Sequence, residues 1–321
     1  MSSIQRVLLN PSLGEALTRQ PRQHTSCLPP ANETKLHPSS SADENASLMF
    51  VGNATTILEW EGVRLMTDPN FLHAGDHVHL GPGVTSVRLK NPAIDLHDLP
   101  RIDAVLLSHY HEDHFDRDVE ASLRRSLPII STPHAKAHLS SKQEGEAFTA
   151  VYDLNIYQSL MLDIKPNPSS SSQMREFAAI KVTAMPGKHV PPGILSTVND
   201  FIEAVPPVNG WMLELGYLTS HLAPDDAFKC GYRIYISGDT LMIDELKCIP
   251  ERYGDKNIDL MLIHLGGTTI PGPNMPLLMV TMDAFQGLQL LQLVNPDITI
   301  PIHYDDYDVF RSPLRDFKQA S

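Results

Sequence analysis

From Ser47 onward, short apolar runs alternate with glycine- and proline-marked breaks. LMFVG, ATTILEW and VRLMTD, interrupted at Gly52 and Gly62, predict successive antiparallel strands. Further runs of strand length are DAVLLS, PIIST, AIKVTAM, GWMLELG, YRIYISG, DLMLIHL and DITIPIH. Between them, helical spacing of apolar positions predicts helices over Arg117–Arg125, Pro133–Ser140, Thr240–Ile249 and Met282–Leu293, the last with Thr281 as its N-cap. Strands and helices are thus mixed throughout. Two long stretches fit neither pattern: His73–Leu99, and Val190–Asn209 with its four prolines. Long loops in a compact domain are usually functional, so both are expected to wall a substrate pocket.

Composition adds a boundary. Residues 1–46 are rich in Ser, Pro, Asn and charge, with the tract Pro38-Ser39-Ser40-Ser41, and read as a partly irregular extension that wraps the domain or stays mobile. Residues 47–321 remain as one catalytic domain, and a chain of 321 residues with 42% hydrophobic content can fill its core. The net charge of −13 disfavours nucleic acid and anionic membranes as partners. A small-molecule substrate is expected instead, and homo-oligomerisation is left open. No signal-like or bilayer-length apolar run is present, so a cytoplasmic protein without a transmembrane segment is expected. The three cysteines, Cys27, Cys230 and Cys248, lack C-x-x-C spacing and argue against disulfides or a thiolate metal site.

The chemistry gathers after the apolar run Ala104–Leu107, in Ser108-His109-Tyr110-His111-Glu112-Asp113-His114-Phe115-Asp116. His-x-His can turn two imidazoles one way along an extended chain, while Asp113 and His114 project differently once the chain turns, which suggests two neighbouring ions. Such a site needs four to six donors. His189 after AIKVTAMPGK, Asp239 in ISGDT and His303 at the end of DITIPIH each follow a predicted strand and can converge with the first group.

With those residues in view, the chain resembles the metallo-β-lactamase-fold hydrolases, in particular the branch of ascorbate-6-phosphate lactonases and N-acylphosphatidylethanolamine-hydrolysing phospholipases D. The resemblance spans Ser47 to Phe317 and rests on VGNATTILEWEGVRLMTDPNF, SHYHEDHFD, MPGKH, ISGDT and IPIHYDDYDVF. It implies an αββα sandwich, two mixed β-sheets flanked by helices, with metals at one edge of the sheets. It also implies His109, His111 and His189 as ligands of one ion, Asp113, His114 and His303 as ligands of the other, and Asp239 as the bridging carboxylate. Asp68 in TDP matches a supporting position. This branch often has histidine where Asn53 stands here, and often lacks one at His264, which ends an apolar strand and is either a candidate proton donor or substrate contact, or a hydrogen-bonded core histidine.

The expected cofactors are two divalent ions, zinc first, with manganese or iron as alternatives for the same ligands. Such ions bring the pKa of a bound water from about 15.7 toward about 7, making hydroxide available to attack an ester, lactone or amide carbonyl. Asp113 would orient that nucleophile, and with Asp239 and His264 it completes the expected catalytic set. Asp305-Asp306 reads as a solvated loop. His73, His77 and His79 have metal-like spacing but read as loop residues, since the site already has its ligands. Ile194, Leu195, Phe201, Ile202 and Val205 suit an uncharged organic or acyl-bearing substrate. The rival readings are a phosphodiesterase or phospholipase D-like hydrolase, an iron-dependent oxidoreductase on the same fold, and a noncatalytic scaffold. Loss of a ligand would mark the scaffold, and every ligand position is filled.

Overall fold

The computed structural model describes residues 4–20, 27–34, 45–81, 84–166, 176–190, 205–220, 227–272 and 275–320. In chain order the strands are β1 (Gln5–Leu9), β2 (Ala46–Gly52), β3 (Thr55–Trp60), β4 (Val63–Thr67), β5 (His77–Gly81), β6 (Val84–Val87), β7 (Ala104–Leu106), β8 (Ile129–Ser131) and β9 (Val151–Asp153). They continue as β10 (Ser159–Ile164), β11 (Phe177–Met185), β12 (Gly210–Leu218), β13 (Lys229–Ile236), β14 (Leu260–His264), β15 (Thr269–Gly272), β16 (Met275–Met279) and β17 (Ile298–Ile302). The helices are α1 (Arg117–Ser122), α2 (Pro133–Ser140), α3 (Cys248–Tyr253), α4 (Ala284–Val294) and α5 (Leu314–Ala320).

Two mixed sheets carry the molecule. One has the order β2-β3-β4-β7-β8-β9, the other β1-β10-β11-β12-β13-β14-β17. Alternation along single strands shows how they stack. Leu65, Ala104, Leu106, Leu260 and Leu262 point into a core shared with Trp60, Ile180, Trp211 and Leu213. Their neighbours Met66 and Val105 face a second cluster with Val119 of α1 and Ala135 and Leu139 of α2. Met261 and Ile263 face a third, with Ile249 of α3, Leu290 of α4 and Phe317 of α5. Helices therefore cover the outer face of each sheet and the inner faces meet, the αββα arrangement. Strands buried on both faces have no polar side, which is why DAVLLS and DLMLIHL read as unbroken apolar runs. Among the described residues, no helix is long and apolar enough to cross a membrane.

Several local expectations change. Order begins before Ser47: within the stretch read as an irregular extension, β1 joins the second sheet as an edge strand parallel to β10, with Val7 and Leu9 in the core and Leu8 outside. Five residues of alternation, with the pairing partner far along the chain, were too little signal. The Thr240–Ile249 helix is instead a 3-10 turn at Asp244–Lys247 followed by α3. The cap of α4 is Asp283, whose carboxylate accepts from Gln286 N at 2.9 Å, and not Thr281, whose hydroxyl faces Asp239. His73–Leu99 contains the β5–β6 hairpin, and Val190–Asn209 lies largely outside the described residues. The cysteines are free, with Cys27 exposed and the other two half-buried.

One polar cluster ties the first sheet to the chain after β17. Gly52 adopts φ +147°, and a Cβ there would stand 2.8 Å from Arg88 Nη2, so glycine meets both the backbone and the space requirement. The fully buried Arg88 guanidinium pairs with Asp306 at 3.0 Å and donates from Nη1 to Asn70 Oδ1 at 2.8 Å. Asp306 also accepts from Asn53 N at 2.9 Å. The expected solvated Asp305-Asp306 loop is thus half wrong: Asp305 pairs with Lys90 at the surface, whereas Asp306 is 3% exposed. Removing the cation would leave that carboxylate buried and uncompensated. Arg88→Ala should cost about 3–5 kcal/mol, read as a lower midpoint in denaturant unfolding, and Asp306→Asn in the same chain should restore part of the loss.

Candidate metal centre

Strand ends converge on one edge of the sandwich. Asp68 directly follows β4, His109 stands three residues after β7, His189 four after β11, Asp239 three after β13, and His303 directly follows β17, while His264 is the last residue of β14. The intervening turns are tight: Asp68 and His303 have φ of 35° and 58°, and Asn53 beside them 52°. Non-glycine residues in this region carry a conformational cost, and such residues concentrate where surrounding contacts hold functional side chains.

Four overlapping groups of donors form there: Asp113, His114, Asp239 and His303; His109, His111 and Asp113; His109, His189 and Asp239; and Asp68, His114 and His264. In each, the ligand atoms lie within 4.8 Å of one another. All seven residues expected as ligands are therefore brought together. His109 Nε2 and His189 Nε2 are 3.0 Å apart. His111 presents Nδ1, 2.7 Å from Asp113 Oδ1. Asp239 Oδ2 lies 3.2 Å from His114 Nε2 and 3.4 Å from His303 Nε2, and Asp113 Oδ2 lies 3.7 Å from each of them.

The far sides of the His109, His114, His189 and His303 rings are held from outside. His189 Nδ1 bonds Val280 O at 2.9 Å, His303 Nδ1 bonds Leu265 O at 3.1 Å, and His109 Nδ1 meets Ser108 Oγ at 2.9 Å. Asp68 places Oδ2 3.2 Å from His114 Nδ1 and accepts from Ser108 N through Oδ1 at 2.6 Å. Such outer partners fix the tautomer that aims Nε2 inward, the arrangement found around metal-binding histidines. Asn53 contributes in a way its sequence position did not reveal. Its Nδ2 donates to Asp113 O at 2.7 Å and its carbonyl accepts from His303 N at 2.9 Å, bracing both neighbours.

Electrostatics test whether cations fit. Burial alone would raise the carboxyls of Asp113 and Asp239, yet nearby imidazoles hold both well below the usual range: His114 and His111 for Asp113, His303 and His114 for Asp239. Burial and neighbouring imidazoles push His109 well down, and burial brings His189 to about 4. Asp68, Asp113 and Asp239 are buried, and among the described residues none of them pairs with Lys or Arg. His114 Nε2, His303 Nε2 and Asp239 Oδ1 are buried without hydrogen-bonding geometry to any partner. Converging N and O donors, three of them outside any hydrogen bond, around carboxylates that no Lys or Arg among the described residues compensates suit divalent cations of the zinc, manganese or iron type.

A cleft opens onto this group, lined by His111, Asp113, His189, Asp239, Leu80, Val205, Thr268, Val280 and Thr281. Leu80 comes from the β5–β6 hairpin and Val205 from the second long loop, so each of the two loops expected to wall the pocket supplies a lining residue. Pro191, Pro192, Ile194, Leu195, Phe201 and Ile202 lie outside the described residues. His264 does not line the cleft; it is fully buried, with Nδ1 3.3 Å from Ser237 Oγ and Nε2 3.8 Å from Asp68. His73 pairs with Asp95 at 2.9 Å, and the side chains of His77 and His79 are on the exposed face of β5, apart from the donor groups.

Comparison with known proteins gives the family and the fold. Residues 64–304 match the family described as the Beta-lactamase superfamily domain, and the chain belongs to that family. It is 26% identical over 274 residues to a UPF0173 metal-dependent hydrolase of Salinibacter ruber, covering 85% of this chain and 91% of the relative. A namesake from Nanoarchaeum equitans is 24% identical over 223 residues, covering 70% and 79%. Among solved structures, an isothiocyanate hydrolase from Delia radicum gut bacteria superposes with a TM-score of 0.60 at 16% identity, covering 85% of this chain and 90% of that one. A metallo hydrolase from Ignicoccus hospitalis gives 0.52 at 20% identity, covering 86% and 89%. These superpositions establish the metallo-β-lactamase fold.

Chelation should therefore lower stability as well as remove metal. At a free-ion concentration of a thousand times Kd, binding to the folded state alone contributes about 4 kcal/mol, so treatment with a chelator should lower the melting temperature and added zinc should restore it. Asp68→Asn, which weakens the hold on His114, should reduce metal affinity by about 10–100-fold in a competition titration.

Proposed function

We propose that this chain is a metal-dependent hydrolase with a dinuclear site, zinc being the first candidate, that cleaves an ester, lactone or amide bond of a small, largely uncharged organic substrate. The observation that carries the reading is the convergence of His109, His111, Asp113, His114, His189, Asp239 and His303 at the base of a cleft whose other walls are aliphatic or hydroxylic. His109, His111 and His189 would hold one ion and Asp113, His114 and His303 the second, with Asp239 between them. Bound there, the ions would supply Lewis acidity toward the scissile carbonyl and a water acidified toward neutral pH.

The chain's own groups then have distinct tasks. Asp113 reaches the cleft while its backbone is held by Asn53, so its carboxylate is placed to orient the attacking water and accept its proton. Thr281 Oγ1 donates to Asp239 Oδ2 at 3.3 Å, restraining that carboxylate from the cleft side. His264, behind Asp68, is assigned a positioning part: it backs the carboxylate that orients His114. Leu80, Val205 and Val280 exclude water and favour an apolar substrate group.

The lining speaks against a phosphodiester. No Lys or Arg lines the cleft among the described residues, so beyond the ions themselves a phosphodiester's single negative charge, shared by its two non-bridging oxygens, would find no fixed positive side chain. That favours the lactonase-like side of the branch over the phospholipase D-like side. The catalytic unit on this reading is residues 47–321 together with β1, whose Val7 and Leu9 complete the shared core.

A panel of a lactone, an aryl ester, an amide, an isothiocyanate and a phosphodiester tests the assignment. Turnover is expected within the uncharged group, with Asp113→Asn lowering kcat by about 10²–10⁴-fold and Asp239→Ala abolishing it. Selective turnover of the phosphodiester would overturn the substrate class, and a zinc-loaded protein inactive on the whole panel would count against hydrolysis.

A further inference from the structure

Helix α2 carries a pair of convergent imidazoles that belongs to none of the buried donor groups. Its buried face is Ala135 and Leu139, and its start is set by Thr132, whose hydroxyl accepts from Ala135 N at 3.1 Å, and by Pro133 in the first turn. His134 and His138, four residues apart, lie one above the other on the same side of this helix, as i and i+4 positions must. Their rings tilt together with centroids 4.4 Å apart, and their Nε2 atoms are 3.1 Å from each other. His138 is exposed and His134 half-buried, so solvent reaches the pair.

We propose that His134 and His138 form a separate surface metal site, a bidentate imidazole chelate for zinc, nickel or copper whose remaining positions are filled by water. Two nitrogens that share one tetrahedral ion at about 2.0–2.1 Å stand roughly 3.3 Å apart, close to the observed spacing. The chelate is also pre-shaped. The His138 ring lies flat against Tyr110, with centroids 5.2 Å apart and planes within 11°, and the Tyr110 hydroxyl donates to Glu120 at 2.9 Å. Lys142, one turn beyond His138, is engaged by Glu120 in an ion pair and is not left to compete for the site. Imidazole selects borderline ions, so magnesium and calcium should not bind. Tyr110 stands between His109 and His111, so an ion on α2 would rest against the outer side of the loop that carries those two histidines.

The competing account is a neutral His–His hydrogen bond that shares one proton and binds nothing. Equilibrium dialysis against nickel separates the two, using the full chain carrying the metals it is purified with. Wild-type protein should take up one nickel equivalent more than His134→Ala or His138→Ala, and nickel should raise the melting temperature of wild type only. His138→Gln keeps a hydrogen-bonding side chain of similar reach and guards against a folding defect; it too should lose that equivalent. Equal nickel uptake by wild type and the variants, or uptake retained in His138→Gln, would overturn the proposal. Because each variant is compared with wild type under identical dialysis, exchange at the buried centre cancels, and the outcome does not depend on the hydrolase assignment.

Discussion

Three carboxylates, Asp68, Asp113 and Asp239, are buried at the edge of a sheet sandwich with imidazoles as their charged neighbours and without Lys or Arg among the described residues. Much of the edge follows from that constraint. An uncompensated buried carboxylate costs several kcal/mol, and an imidazole compensates it only by holding a proton against the penalty of its own burial. Divalent cations resolve both problems: they neutralise the carboxylates and accept the inward-facing lone pairs of the rings. The orphaned donors His114 Nε2, His303 Nε2 and Asp239 Oδ1 are what such a solution requires of the protein.

The rest of the architecture holds these groups where they would otherwise repel or relax. Strand ends and the loops that follow them deliver the ligands to the same edge, and outer partners lock the rings of His109, His114, His189 and His303. Positive φ at Asn53, Asp68 and His303 is tolerated because each is tied down: Asn53 to Asp113, Asp306 and His303, Asp68 to Ser108 and His114, His303 to Leu265. The Arg88–Asp306 pair then anchors the chain after His303 to the first sheet. A cleft formed over this rigid floor inherits its polarity from below and its apolarity from the loops above.

The ligands were legible because their signal is local. An apolar strand followed within four residues by His or Asp is an unusual juxtaposition, and it recurs at His109, His189, Asp239 and His303. The shared core was legible for a similar reason, since strands buried on both faces carry no polar positions. What escaped depends on partners far apart in the chain. Asn53 and Asp306 are separated by 253 positions, and nothing in either neighbourhood shows that one braces the other. β1 finds its partner only at β10, and Thr281 looks like a helix cap until Asp239 is beside it. A strand end suits His264 equally to a cleft contact or to a hydrogen-bonded place in the core, and only the partners Asp68 and Ser237, distant in sequence, show that it is covered.

Native mass spectrometry of the purified chain, with the bound metals identified by elemental analysis, addresses the central claim most directly. Two divalent ions per chain are expected, with occupancy reduced in His111→Ala and lost in Asp239→Ala. A wild-type chain that is folded and metal-free, and that takes up neither zinc, manganese nor iron when these are supplied, would contradict the account.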